Sequence, residues 1–136
     1  MAKQHLDPPE LSAPPGGQFS QVVSSGPGRV VMTAGQVPLD ASGEVVGAGD
    51  LLAQMRQCYR NVELALVAAG AGWEDVLRVT VYVVALSDEA RTAGRAVRDE
   101  FLPPERRPAS TLLGVERLAS TDFLCEVEAT AVVEQP

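Results

Sequence analysis

Arg107-Pro108-Ala109-Ser110-Thr111-Leu112-Leu113-Gly114-Val115-Glu116-Arg117-Leu118, with Glu126 shortly after it, is the stretch on which the reading of this chain turns. Residues 109–115 form a short β-prone run, set apart from Arg106 and Arg107 by Pro108. A second strand is predicted over residues 123–133. There Cys125, Val127, Ala129 and Ala131 share one parity, and Leu124, Glu126, Glu128 and Thr130 the other. Side chains alternate across a strand, so this one has an apolar face and a face bearing two carboxylates.

Upstream, Val79, Val81 and Val83 alternate with Thr80, Tyr82 and Val84, the pattern of a strand buried on much of both faces. Before that strand, Leu51, Met55, Cys58, Val62, Ala65, Leu66 and Ala69 recur at helical spacing. Asp50 is placed to cap this helix, and Gly70 and Gly72 to stop it. After the strand, Ser87 is placed to cap a second helix, with Asp88 and Glu89 near its positive end. Its face is made of Ala90, Ala93, Gly94, Val97 and Phe101, and Pro103 and Pro104 end it. Residues 19–25 and 29–34 flank Gly26-Pro27-Gly28, which predicts a hairpin. Residues 38–49 read as a loop with a small hairpin at Ser42-Gly43-Glu44. Residues 1–17, rich in Pro and Gly, are expected to form an irregular arm, and residues 18–136 one domain.

The order β-β-α-β-α-β-β predicts an α+β fold, with one mostly antiparallel sheet and two helices on one face. The helices cover only that face. Apolar residues on both faces of the central strand therefore predict an oligomer.

The net charge of −7 argues against nucleic acid as a partner, since phosphate neutralisation needs a basic patch. No apolar run is long enough for a bilayer, and residues 1–15 lack the apolar core of a secretory signal, so a cytoplasmic location is expected. Cys58 and Cys125 have no metal-ligand spacing and are expected to be buried reduced thiols. The lone His5 is expected to be a solvated tail residue.

Taken in order, the pieces are similar to one known family. They are Thr33-Ala34-Gly35-Gln36-Val37-Pro38, Gly43-Glu44-Val45, Gln54-Met55-Arg56-Gln57 and Ala68-Ala69-Gly70. Val79-Thr80-Val81-Tyr82-Val83, Pro108-Ala109, Val115-Glu116-Arg117-Leu118 and Glu126-Val127-Glu128-Ala129 complete the set. Each is weak alone, but their order and spacing resemble the RidA/YjgF family of reactive-intermediate deaminases over residues 17–133. The resemblance implies a chorismate-mutase-like α+β fold assembled as a homotrimeric barrel, with small-molecule substrates in clefts between subunits. It also implies hydrolysis of enamines and imines such as 2-aminoacrylate, with no metal and no cofactor.

Residue by residue, Glu126 matches the family's water-positioning, proton-handling glutamate and is the catalytic candidate. Ser110 stands where the deaminases carry an arginine that grips the substrate carboxylate. Ala34 stands where a serine is common, and Phe19 where a tyrosine is common. Gly35, Gln36, Tyr82 and Thr111 complete the substrate-binding candidates, and Arg107 is a further candidate, able to reach in from its loop. A cleft without the guanidinium is expected to be larger and less cationic. It would then prefer a neutral, cationic or more apolar substrate, with weak or absent activity on 2-aminoacrylate. Two functions follow as expectations. One is an enzyme for hydrolysis, deamination, dehydration or cyclisation at an imine, enamine or hemiaminal carbon, with Glu126 as general acid/base. The other is a non-catalytic module on the same trimer that binds a small ligand or a protein.

Overall fold

A computed structural model describes residues 3–136. Six strands and two helices follow in the order β1 (Gln4–Leu6), β2 (Val22–Ser24), β3 (Gly28–Met32), α1 (Leu51–Ala68), β4 (Val76–Val84), α2 (Asp88–Phe101), β5 (Ala109–Val115) and β6 (Cys125–Glu134). The fold is α+β, as the sequence predicts. The principal sheet has the order β3-β6-β4-β5, antiparallel except for the parallel pair β4–β5. The parallel pair follows from the connection: α2 carries the chain back before β5 starts, as a crossover must.

Both helices start where their caps predict. The Asp50 carboxylate accepts from the Ala53 amide at 3.1 Å, and Ser87 Oγ accepts from the Ala90 amide at 3.1 Å. At the far end of α1 the Arg29 guanidinium donates to the Ala69 carbonyl at 2.7 Å, satisfying a carbonyl that the helix leaves open. The loop before α1 closes on Asp40, whose carboxylate accepts from the amides of Ser42 at 2.9 Å and Glu44 at 3.0 Å. Gly43 takes a φ of +81° there, a conformation glycine adopts without strain.

The core lies between the helices and the odd-numbered side of the sheet. Met55, Cys58, Tyr59, Val62 and Leu66 of α1 and Val97 of α2 meet Val79, Val81, Val83, Val127 and Ala131. Tyr59 stacks on Phe101 with ring centroids 5.7 Å apart and lies 5.6 Å from Trp73. Cys58 and Cys125 are buried free thiols with sulfurs 3.7 Å apart. Their mutual hydrogen bond, followed by burial, pushes the Cys58 thiol well up from its ordinary range.

Three expectations change at the N-terminal end. The runs flanking Gly26-Pro27-Gly28 do not pair with each other. β2 pairs with β1 and β3 pairs with β6, so the turn passes the chain between two sheets instead of closing a hairpin. Within the expected irregular arm, Gln4–Leu6 form a strand, while Met1 and Ala2 lie outside the described residues. His5 is not a solvated tail residue. It is half-buried, and its Nδ1 lies 2.9 Å from the Arg107 carbonyl and 3.2 Å from Ser20 Oγ. Among the described residues no helix is long and apolar enough to cross a membrane.

Candidate functional site

The sequence candidates separate onto the two faces of the sheet, because the β4 register fixes the parity of its neighbours. Tyr82 pairs with Glu126, and Val79 pairs with Ser110. Val79 faces the helices and Tyr82 faces away, so Ser110 and Glu126 sit on opposite sides within one protomer.

On the side away from the helices, Glu126 lies under the segment that follows β3. Gln36 and Val127 exchange backbone hydrogen bonds, 2.7 Å from the Gln36 amide and 3.0 Å from the Val127 amide. This pairing brings Gly35 onto the Glu126 carboxylate. A Cβ at position 35 would stand 2.7 Å from Glu126 Cδ and 2.8 Å from Oε2, so a side chain there would displace the carboxylate from its present place. Gln36 Nε2 donates to the Ala34 carbonyl at 3.2 Å, which holds the turn. Burial, then the neighbouring charge of Glu128, raises the Glu126 carboxyl above its ordinary range. Tyr82 donates its hydroxyl to Glu128, and that bond to a carboxylate pushes the phenol up. Thr111 accepts from Arg78 at 2.5 Å. Ala34, Gly35, Gln36 and Glu126 thus form one corner, with Tyr82 directly across from Glu126.

On the helix side, Phe19 and Ser110 line a cleft of about 180 Å³ between α2 and β5. Its floor is Met55, Tyr59 and Val81. Its α2 wall contributes Arg91, Arg95 and Arg98. Arg98 is 9% exposed. It donates through Nη2 to Ser110 Oγ at 3.2 Å and through Nη1 to the Gln18 carbonyl at 3.3 Å, while its Nε is buried without a partner. Within the protomer this part of the cleft is cationic. The strand arginine is absent, yet a guanidinium occupies the space beside Ser110, supplied by the helix.

Arg107 does not reach into this cleft. It turns under the arm and binds the Asp99 carboxylate at 2.9 Å, while its carbonyl accepts from Ser20 Oγ at 2.6 Å. Arg117 donates to the adjacent Leu118 carbonyl instead of to Glu126. Among the described residues no group of three His, Cys, Asp or Glu side chains is placed to hold a metal ion.

The sequence reading passed over Arg91, Arg95 and Arg98. The available signal was their spacing of four and three residues, which puts them on one side of a helix. That side was read only for its small apolar residues.

Comparison with known proteins bears on this geometry. The family described as endoribonuclease L-PSP matches residues 10–133. A RutC family protein of Pyrococcus horikoshii is 37% identical over 126 residues, 92% of this chain and 94% of that protein. A 2-iminobutanoate/2-iminopropanoate deaminase of Salmonella typhimurium is 36% identical over 107 residues, 77% of this chain and 80% of that enzyme. A crystal structure of a Rid-family protein of unknown function from Yersinia pestis superposes with a TM-score of 0.83 at 35% identity, covering 98% of this chain and all of that one.

Proposed function

We propose a function from the premise that this chain belongs to the endoribonuclease L-PSP family, together with its RutC, YjgF and imine-deaminase relatives. The function is catalysis at the imine, enamine or hemiaminal carbon of a small metabolite, with Glu126 as the general acid/base. The observation that carries this reading is the Glu126 carboxylate, held against the backbone at Gly35 and raised in pKa by burial. Such a group holds a proton more readily than a solvated carboxylate does, which suits it to accept a proton and return it. In hydrolysis, Glu126 takes a proton from water as the water oxygen bonds to the imine carbon. It gives that proton to the nitrogen, forming a carbinolamine. It then takes the proton of the new hydroxyl and gives it to the amine as the carbon–nitrogen bond breaks, leaving a carbonyl and ammonia.

The reading also assigns an assembly. One protomer holds Glu126 and the Arg98 cleft on opposite faces, so a single copy does not bring them to one substrate. We propose that a neighbouring copy completes each site, as in a homotrimer with inter-subunit clefts. Both edge strands expose apolar side chains for such a contact: Val30 at 61% and Met32 at 74% on β3, Leu113 at 41% on β5. The ribonuclease in the family's description is a poor fit to a chain of net charge −7 whose single histidine is tied to Ser20 and Arg107.

The test is ammonia release from imines generated in situ by an amino-acid oxidase, comparing the wild type with Glu126→Gln. Removing a general acid/base is expected to lower turnover by roughly 10²- to 10⁴-fold. Unchanged turnover in Glu126→Gln would overturn the assignment.

A further inference from the structure

The cleft between α2 and β5 is cationic in a protein that is otherwise acidic. Its lining contains Arg91, Arg95 and Arg98 and no Asp or Glu, in a chain with 18 acidic and 11 basic residues. Two of the three arginines lack a carboxylate partner. Arg91 has a long contact of 3.7 Å with Asp88. Among the described residues neither Arg95 nor Arg98 has a carboxylate within 4.0 Å. Other arginines of the same region are matched, Arg56 by Glu100 at 2.7 Å and Arg107 by Asp99 at 2.9 Å.

Arg98 is the anchor. Burying a guanidinium costs several kcal/mol unless something compensates its charge. It donates to one neutral hydroxyl and one carbonyl at the long end of hydrogen-bond distance, the buried Tyr59 hydroxyl lies beside it, and its Nε has no partner. At least one of its five donors, the Nε–H, is unfilled, in a cleft open to small molecules. Arg95 lies one turn away on the same helix side, nearer solvent. Residues three apart on a helix are neighbours, roughly 5–6 Å apart at Cβ.

We propose that this cleft takes a small metabolite with two anionic groups, one bound by Arg98 beside Ser110 and the second bound by Arg95 at the mouth. The proposal rests on the functional reading above and names its substrate class: an imine or enamine carrying two carboxylates, or a carboxylate and a phosphate. A volume of about 180 Å³ suits a short chain of this kind; it is below the roughly 300–1,000 Å³ of drug-sized sites. Gln18 Oε1, also buried without a partner, offers an acceptor to a polar hydrogen of the ligand. Arg98 replaces the strand guanidinium as the inner anchor, and Arg95 sets the preference for a dianion.

Calorimetric titration of the intact protein with succinate, 3-phosphopropionate and butyrate tests this. The wild type is expected to bind a dianion more tightly than butyrate by up to roughly fivefold, the scale of one solvent-exposed ion pair. Arg95→Gln should bring the dianion down to the affinity of butyrate and leave butyrate unchanged. Arg98→Gln should weaken all three, and Arg98→Lys, which keeps the charge, should restore part of the loss in a protein of unchanged melting temperature. The two dianions compared with each other distinguish carboxylate from phosphate at the mouth. Equal affinity for succinate, 3-phosphopropionate and butyrate, no binding of any of them, or an Arg95→Gln variant that keeps the dianion preference would overturn the proposal. Glu126→Gln that retains the preference but keeps full turnover would sink the catalytic reading and leave this one standing.

Discussion

The two faces of the central sheet obey one alternation but meet different surroundings. Odd-numbered side chains of β4 and β6 (Val79, Val81, Val83, Cys125, Val127) are at most 2% exposed under the helices. Their even-numbered neighbours Thr80, Tyr82, Glu126 and Glu128 are only half-covered. The first face is filled by the chain itself, and its side chains have no alternative partner. The second face carries a hydrogen-bonded tyrosine–carboxylate pair, a glutamate with a raised pKa and two exposed edges. Stability therefore concentrates on one face, while the half-covered carboxylates and the exposed apolar edges lie on the other.

The largest effect that separates the faces is in the core. Leu66 is fully buried between α1 and the sheet. Leu66→Ala is expected to cost about 2–5 kcal/mol, since both transfer free energy and a cavity are involved. Urea unfolding measures it, and a loss below about 1 kcal/mol would mean that the helices pack more loosely than described. On the other face, Tyr82→Phe removes the donor to Glu128 and leaves that half-buried carboxylate to solvent. A loss of about 0.5–1.5 kcal/mol is expected, the net worth of a typical hydrogen bond. Smaller still is Met32→Lys on the exposed edge of β3. Its cost to the isolated fold should stay within about 0.5 kcal/mol. Sedimentation should nevertheless show a smaller particle than the wild type if β3 lies in a subunit contact. A monomeric wild type would remove the premise that a second copy completes the site.

The sequence made the helices and the central strands readable because their signals are local. Asp50 and Ser87 each cap the helix they precede, and the alternation from Val79 to Val84 needs no distant partner. The N-terminal strands carried no such signal. β1 is three residues long and sits among polar and proline residues, and its pairing with β2 spans a Pro- and Gly-rich excursion. The turn at Gly26-Pro27-Gly28 is real, but which strands flank it is decided by β6, more than a hundred residues later in the chain. Glu126 and Gly35 were named from the family resemblance, and their contact comes from the Gln36–Val127 pairing, a feature no local pattern encodes. Arg98 was missed for the same reason. An arginine on a helix ordinarily reads as solvated. Its burial depends on Gln18, eighty residues away, and on the small Ser110. The serine that suggested a lost guanidinium is also what leaves room for this one.

The smallest effect is the pH dependence that the Glu126 corner gives to stability. Burial and the Glu128 charge raise the folded-state carboxyl above its ordinary 4.5. The folded state therefore holds that proton more tightly than the unfolded state does. The stability this contributes is fully present below the ordinary value and is lost as pH rises through the raised one. Glu126→Gln removes the titration and keeps the shape. The melting temperature of the wild type, measured relative to Glu126→Gln, should fall as pH rises from the ordinary carboxyl value through the raised one, and flatten above it. Glu126 is partly exposed, so solvent screening limits the size of the change while its sign stays fixed. If copies associate through this face, its burial deepens, and the fall should then be larger in the wild type than on a Met32→Lys background. A difference that is flat with pH on both backgrounds would mean that Glu126 is solvated in the folded protein, and the corner at Gly35 would lose the property that suits it to proton transfer.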